Sequence, residues 1–82
     1  MNIWLATIEL EVRMRLSARN VIKGTVKEII TGAVNCEVIV TTAHGETIVS
    51  VITKESVESL ELKVGKEVYA VIKASNVMLA VD

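Results

Sequence analysis

A short segment in the first third of the chain concentrates hydrogen-bond donors. Ser17, Arg19, Asn20 and Lys23 place a hydroxyl, a guanidinium, an amide and an ammonium group within a few residues of each other. The oxygens of a tetrahedral oxyanion only accept hydrogen bonds, so a protein site for such an ion presents donors, preferably charged or rigid ones. This segment therefore predicts an anion-binding site.

The composition predicts a small domain that associates with copies of itself. A chain of 82 residues forms one domain, and such a domain buries only roughly 60–65% of its unfolded surface when it folds alone. Yet 51% of the residues are hydrophobic and the mean hydropathy is +0.50, which is more apolar surface than a small monomer easily hides. We therefore expect a homo-oligomer.

Charge and aromatic content argue against a nucleic-acid partner. The net charge is −1, no basic block is present, and Trp4 and Tyr69 are the only aromatic residues. Proteins that bind nucleic acid usually have a basic surface, and those of the OB type add aromatic platforms on which bases stack. No acid–base pair stands beside a nucleophile and no phosphate-cradling loop is present, so no enzyme activity is expected.

The remaining composition indicates a cytoplasmic protein without a membrane partner. Cys36 is the only cysteine and His44 the only histidine, which excludes an intrachain disulfide and makes a site for a free metal cation unexpected. We expect Cys36 to be buried on a strand and His44 to be exposed in a turn. No stretch approaches the roughly 20 apolar residues of a membrane span, and Glu9, Glu11 and Arg13 interrupt any signal-peptide pattern.

Apolar and polar residues alternate along much of the chain, which is the period of a β-strand. The longest such run covers residues 4–16 and ends at the donor-rich segment. Further strands are predicted at residues 21–30, 36–42, 46–52, 67–73 and 77–81. Gly45 supplies the positive φ of a hairpin turn, and Thr53 is the N-cap of a short helix that Gly65-Lys66 closes. This order predicts an all-β fold: a small OB-like Greek-key barrel of about five strands with one short helix and an N-terminal strand extension.

Four motifs, in order, resemble those of the molbindins, the molybdenum-pterin-binding proteins built from the Mop or TOBE domain. Residues 16–24 resemble the family's opening, and residues 31–38 resemble its turn and following strand. Ile52-Thr53 with Ser56 resembles the start of its helix, and residues 65–75 resemble its final strands. The resemblance covers residues 14–81. Residues 14–82 are thus identified as a Mop/TOBE molybdate-binding domain, and residues 1–13 as an N-terminal strand extension that is atypical of the family.

The resemblance implies that the protein binds molybdate, and tungstate, as the free oxyanion. It also implies a homo-oligomer, a hexamer arranged as a trimer of dimers, with anion sites at the interfaces between subunits. The implied role is storage and homeostasis of molybdenum inside the cell. The alternative is an oxyanion-sensing regulatory or assembly module that acts with a transporter or a transcription factor. A pocket sized for the longer metal–oxygen bonds would leave sulfate short of some donors.

The residues that would bind the anion supply charged, hydroxyl or backbone donors. Arg19 can offer parallel N–H groups to two oxygens, and Lys73 adds a compact positive charge. The molybdate-binding residues that the resemblance implies are Ser17, Arg19, Asn20, Thr53, Ser56, Lys73, Ala74 and Ser75. A second oxyanion site, near a threefold axis of the assembly, is predicted at the turn formed by Gly32, Ala33, Val34 and Asn35. Taken singly, such residues are more often surface charges, turn hydroxyls or a helix N-cap; their joint order carries the assignment.

Three explanations of residues 1–13 remain open. The segment is a genuine strand that pairs with another copy, or translated sequence upstream of a native start at Met14, or an introduced sequence. Its strict alternation favours an ordered strand, which needs a partner because an exposed apolar edge invites aggregation. In that case we expect Trp4, Ile8 and Leu10 to be buried against a neighbouring subunit.

Overall fold

The computed structural model describes residues 20–82 of the chain. Their elements, in chain order, are β1 (Asn20–Thr31), β2 (Asn35–Thr42), β3 (Thr47–Thr53), α1 (Lys54–Ser59), β4 (Glu67–Ile72) and a 3₁₀ helix (Ala74–Asn76). The bounds of the four strands agree with the predicted bounds to within one residue. The strand that we expect at residues 4–16 lies outside the described residues.

The four strands form one curled antiparallel sheet in the order β3-β2-β1-β4. Residues 20–25 of β1 pair with β4, and residues 24–31 pair with β2, so that Gly24 and Thr25 have a neighbour on both sides. The register of β1 against β2 shifts between Val26 and Glu28, because Lys27 is an extra residue there. Such a bulge bends a strand and increases its twist. The predicted all-β, OB-like fold with a short helix is confirmed.

The inner face of the sheet carries a small core of mostly β-branched residues. Val26, Val38 and Val40 are buried and form one cluster, and the neighbouring Cys36 is only 2% exposed. The partly buried residues that pack against this cluster are Ile29, Ile48, Ile52, Val57, Leu62 and Val68. Successive side chains of a strand point to opposite faces, so Cys36, Val38 and Val40 share one face of β2. The predicted burial of Cys36 is confirmed.

A tight hairpin joins β2 to β3. Gly45 has a φ of +86°, and its N–H donates to the carbonyl of Thr42 at 3.0 Å. Glycine adopts this left-handed conformation without the steric cost that a side chain brings. The predicted turn at Gly45 and the exposure of His44 are both confirmed.

The C-terminus of α1 is closed without a glycine. Leu62 donates its N–H to the carbonyl of Val57 and Glu61 donates to Glu58, both at 3.0 Å, which is the hydrogen-bond pattern of a Schellman motif. Glu61 occupies the left-handed position of this motif with a φ of +52°. The prediction that Gly65 closes the helix is therefore wrong, because Gly65 lies in a later turn. Lys66 does contribute, since its Nζ donates to the carbonyl oxygens of Leu60 and Glu61.

Replacing Glu61 by glycine is expected to stabilise the domain. A left-handed backbone costs a residue with a Cβ about 1 kcal/mol, and glycine avoids that cost while the backbone hydrogen bonds of the motif remain. The melting temperature of a domain of this size should rise by about 4–8 °C for each kcal/mol. Thermal unfolding of Glu61→Gly beside Glu58→Gly measures this. The control substitution places glycine inside the helix and should lower the melting temperature. Equal destabilisation by both would contradict the assigned strain.

The last predicted strand, at residues 77–81, is not formed within the described chain. These residues have no regular secondary structure and follow the 3₁₀ helix directly. An alternating pattern shows that a segment suits a strand, but a strand also needs a neighbour for its N–H and C=O groups. In the sheet of residues 20–82, β3 and β4 each keep one edge that this segment does not cover. The prediction of a strand here is wrong for the single chain.

Candidate functional site

The start of β1 and the end of β4 lie side by side. Asn20 is opposite Ile72 in the antiparallel register, and its side-chain Nδ2 donates to the carbonyl of Ile72 at 3.2 Å. Arg19 precedes Asn20 and Lys73 follows Ile72 in the sequence. Two of the predicted site motifs, more than fifty residues apart in the chain, therefore adjoin neighbouring strand ends. One hydrogen of the Asn20 amide is already used to hold them together.

Residues 73–75 lead directly out of β4. Lys73 has an extended backbone and begins the 3₁₀ helix, at which its side chain makes no capping hydrogen bond. Lys73, Ala74 and Ser75 are all exposed. No carboxylate among residues 20–82 forms an ion pair with Lys73. As far as residues 20–82 are concerned, its ammonium group is therefore available for an anion that approaches this end of β4.

Ser17 and Arg19, the first two residues of the predicted site, lie outside the described residues. The structure thus places Asn20, Lys73, Ala74 and Ser75 together at one end of the β1–β4 pair. We call these four residues the Asn20–Lys73 cluster. The roles of Ser17 and Arg19 remain predictions.

Lys23, the fourth donor of the opening segment, is held elsewhere. Its Nζ is 2.6 Å from Oε1 of Glu67, and both side chains are more than half exposed. The hydrogen bond to Glu67 and the negative charge of that carboxylate raise the pKa of Lys23 above its usual range. Because Asn20 and Lys23 are three positions apart on one strand, their side chains point to opposite faces. The structure therefore separates Lys23 from the Asn20–Lys73 cluster.

Thr53 and Ser56 together cap the start of α1. The N–H of Ser56 donates to Oγ1 of Thr53 at 3.0 Å, and the two hydroxyl oxygens are 2.7 Å apart. The predicted N-cap role of Thr53 is confirmed. One of the two hydroxyl hydrogens is used between these residues, so the pair has one hydroxyl donor left for a ligand.

The turn between β1 and β2 lies next to this helix start. Asn35 is opposite Thr53 in the β2–β3 register, and the N–H of Lys54 donates to the carbonyl of Val34 at 2.8 Å. The N–H of Gly32 donates to the carbonyl of Asn35 at 2.9 Å, so it is not free for an anion. The side chain of Val34 is 71% exposed.

Strand pairing thus regroups the predicted site residues. Thr53 and Ser56 adjoin the turn residues of the predicted second site. We call these six residues the turn cluster: Gly32, Ala33, Val34, Asn35, Thr53 and Ser56. It adjoins the C-terminal end of β1, whereas the Asn20–Lys73 cluster adjoins the N-terminal end. The strand register does not bring Thr53 and Ser56 beside Lys73 within one chain. That they share an anion with Lys73 remains a prediction that needs a second copy.

Sequence reasoning missed two features of this region. The first is the ion pair between Lys23 and Glu67. Glu67 belongs to a strand more than forty residues later in the chain, and the sequence around Lys23 does not predict that pairing. The second is an apolar cleft of about 380 Å³ between β3 and β4, with Lys73 and Asn76 among its lining residues. A curled sheet whose two edges do not meet creates such a cleft, and only the tertiary structure reveals it.

Replacing Thr53 by alanine is expected to destabilise the domain. The substitution removes the oxygen that accepts the N–H of Ser56, and the loss of an N-cap costs about 1 kcal/mol. Thr53→Ser keeps that oxygen and is the matched control. Urea denaturation should give a lower midpoint for Thr53→Ala than for Thr53→Ser. Equal midpoints would show that the cap hydrogen bond contributes nothing to stability.

Comparison with known proteins agrees with this architecture. The sequence model of the TOBE domain family matches residues 16–79. The chain is 44% identical over 69 residues to a probable molybdenum-pterin-binding protein of Haemophilus influenzae, covering 84% of this chain and 100% of that protein. It is 45% identical over 69 residues, again 84% of this chain, to the molybdenum transport protein ModE of Azotobacter vinelandii, of which it covers 26%. A crystal structure of the cytoplasmic molybdate-binding protein ModG with molybdate bound matches with a TM-score of 0.82 and 54% identity, over 88% of this chain and 51% of that chain.

The curled sheet and short helix define a small OB-like domain whose donor groups lie at its strand ends and turns. The chain belongs to the TOBE domain family. It spans the full length of the small Haemophilus relative, about half of the ModG chain and about a quarter of ModE. No helix within residues 20–82 has the length and apolar character needed to cross a membrane. Within the same residues, no three His, Cys, Asp or Glu side chains are grouped as ligands of a metal ion.

Proposed function

We propose that this protein binds molybdate, and tungstate, as the free oxyanion, in a site that includes Ser17, Arg19 and the Asn20–Lys73 cluster. One observation carries the proposal: Asn20 pairs with Ile72, so the Ser17–Arg19 motif and residues 73–75 continue from adjacent strand ends. Both parts of the chain carry charged and hydroxyl donors of the predicted site. Similarity to a protein solved with molybdate bound supports the choice of ligand.

The donors suit a tetrahedral dianion. Arg19 stays protonated at any physiological pH and can donate two parallel N–H bonds, while Lys73 supplies a second positive charge. Two cations opposite a dianion neutralise it, and the hydroxyl groups of Ser17 and Ser75 with the backbone of Ala74 can satisfy its remaining oxygens. The second hydrogen of the Asn20 amide is a further donor. None of these groups performs a chemical step, so the proposed function is binding without catalysis.

The proposed site is shared between copies of the chain. Lys73, Ala74 and Ser75 are exposed in the single chain, and a dianion held at such a surface would remain largely hydrated. A second copy that covers this surface would exclude water and strengthen the charged hydrogen bonds. The proposed assembly is a homo-oligomer, a hexamer built as a trimer of dimers. Thr53 and Ser56 of a neighbouring copy would then complete the site, and the turn cluster would form a second one.

The proposed role is cytoplasmic storage and homeostasis of molybdenum. It is supported by the match to the whole of the small Haemophilus protein. The alternative role is an oxyanion-sensing module that acts with a transporter or transcription-factor partner, and the match to one quarter of ModE favours this second candidate. We further propose that residues 14–82 form the binding domain and that residues 1–13 extend it. If they do, a variant that begins at Met14 should keep its affinity for molybdate.

Calorimetric titration of the purified protein with molybdate, tungstate and sulfate tests the proposal. We expect molybdate and tungstate to bind in the micromolar range or tighter, and sulfate to bind far more weakly. The stoichiometry per assembly, combined with its mass, gives the number of sites. Failure of molybdate to bind in this range would overturn the proposed function. Equal binding of sulfate would overturn the selective, size-matched pocket.

A further inference from the structure

The side-chain amide of Asn20 lies at the last pair of the β1–β4 ladder. Asn20 is the first residue of β1 and is opposite Ile72, the last residue of β4. Support at this end is one-sided, because β4 is an edge strand within the described sheet and residues 20–23 of β1 pair there with β4 alone. Strand ends that have few neighbours open most easily. The two ends therefore depend on each other and on any side chain that joins them.

One hydrogen bond from a side chain joins these strand ends. Nδ2 of Asn20 donates to the carbonyl oxygen of Ile72 at 3.2 Å, and the contact is partly buried. A partly buried hydrogen bond contributes net stability, since water competes for it less than at an open surface. The amide of Asn20 therefore acts as a clamp between two segments that are 52 residues apart in the chain.

The oxygen that Asn20 holds belongs to the same rigid group as the N–H of Lys73. The carbonyl of Ile72 and the N–H of the next residue form one planar peptide unit, so fixing the direction of the oxygen also fixes that of the N–H. From Lys73 the chain turns at once, and the carbonyl of Lys73 accepts the N–H of Asn76 at 2.9 Å. The orientation set at Ile72 is thus passed to the whole 3₁₀ turn that follows.

We propose that Asn20 is a positioning residue of the molybdate site: its amide clamp holds Lys73 and the turn after it beside the Ser17–Arg19 motif before the anion arrives. The inference rests on the proposed function and adds the role of one residue to it. The Lys73 side chain is exposed and makes no capping hydrogen bond, so the backbone of this turn determines where its charge lies. A site that is assembled in advance binds more tightly, because no binding free energy is used in ordering the protein.

The clamp differs from a direct contact between Asn20 and the anion. One hydrogen of the amide is already donated to Ile72, and the second could reach a ligand only when a ligand is present. A clamp, in contrast, orders the end of β4 in the anion-free protein as well. Protein without molybdate therefore distinguishes the two roles.

The first test is hydrogen–deuterium exchange of Asn20→Leu in the absence of molybdate, read by mass spectrometry. Leucine has nearly the shape of asparagine but donates no hydrogen bond. Peptides that cover residues 70–77 should exchange about three- to tenfold faster than in the unchanged protein, the factor that one net hydrogen bond corresponds to. Unchanged exchange there overturns the clamp, whether or not molybdate binds. An equal rise in peptides of β2 would show general loosening of the domain and overturns it too.

The second test is calorimetric titration with molybdate in two backgrounds. Asn20→Leu should weaken binding about three- to tenfold, because a smaller fraction of the protein is then in the binding-competent arrangement. In Lys73→Met, which has no charge to position, the same substitution should cost less than about twofold. Equal losses in both backgrounds overturn the positioning role. Failure of the unchanged protein to bind molybdate overturns the proposed function itself, and the exchange measurement then still shows whether the clamp exists.

The matched control is the double variant Lys23→Gln with Glu67→Gln. It removes the ion pair that also joins β1 to β4, but at a distance from the strand ends, and it leaves the net charge of the protein unchanged. Because both side chains are exposed and such pairs contribute little, molybdate affinity and exchange at residues 70–77 should stay within about twofold of the unchanged protein. Losses as large as those of Asn20→Leu would mean that general stability of the strand pair, and not the clamp, controls binding, which overturns the proposal.

Discussion

Replacing Arg19 by alanine lowers the affinity for molybdate by about 30-fold or more if the proposed site is correct. Truncating one partner of a desolvated charged hydrogen bond costs roughly 2–5 kcal/mol, and about 1.4 kcal/mol corresponds to a factor of ten. Arg19→Lys should recover only part of the loss, because an ammonium group keeps the charge but cannot donate two parallel bonds to two oxygens. Calorimetric titration of the three proteins measures the effect.

The matched control is Lys63→Ala. It removes one positive charge from an exposed position after α1, so it reproduces the change in net charge without touching the proposed site. Its affinity should stay within a few-fold of the unchanged protein. Molybdate and tungstate affinities should fall in parallel in Arg19→Ala, because both anions meet the same donors. Full affinity for molybdate in Arg19→Ala would show that the site is assigned wrongly, even though the protein binds molybdate.

Much of the fold could be predicted from the sequence because the strand faces, the hairpin turn and the helix cap each depend on residues that are close together in the chain. The alternation of apolar and polar residues around Val38 and Val40 predicts which face of β2 is buried. A shift of the strand register by one residue would turn these apolar side chains to the solvent. The turn at Gly45 and the cap at Thr53 are also local, because each depends on one residue's backbone freedom or hydroxyl group. These features need no knowledge of which strands become neighbours.

What the pattern could not predict depends on distant pairing. The ion pair of Lys23 with Glu67 arises only because β1 lies beside β4. Within one chain, Lys73 and Thr53 adjoin opposite ends of β1, so the single site that the family resemblance implies for them stays a prediction that requires a second copy. The end of α1 was predicted wrongly for a different reason: Glu61 adopts a left-handed conformation that glycine would adopt more easily. There the surrounding contacts override the preference of the residue.

Gly24, which follows the donor-rich segment, packs against the core of the domain. It is buried in the middle of the sheet, opposite Thr42 of β2 and Val68 of β4. A Cβ added at this position would lie 2.5 Å from Cγ1 of Val40 and 2.8 Å from the carbonyl oxygen of Thr41. Gly24 is not among the residues with positive φ, so space, and not backbone freedom, requires a glycine. The close approach of β1 to β2 begins at this residue.

Gly24→Ala is therefore expected to destabilise the domain by about 1–3 kcal/mol, the usual cost of overpacking a core. The carbonyl oxygen of Thr41 belongs to the backbone of β2 and cannot rotate away, so the two strands must separate slightly. Urea denaturation measures the loss, and Thr25→Ala, at the exposed neighbouring position, is the control for a change in strand propensity alone.

A double-mutant cycle with Val40→Ala tests the physical cause. Val40→Ala by itself removes buried methyl groups and destabilises the core. Combined with Gly24→Ala, it also removes the Cγ1 atom that the new Cβ would strike, so the cost of the pair should be smaller than the sum of the single costs. Residues in contact typically show coupling of about 0.5–3 kcal/mol. Strictly additive costs would mean that contact with Val40 does not explain the glycine, leaving the Thr41 carbonyl as the atom that excludes a side chain there.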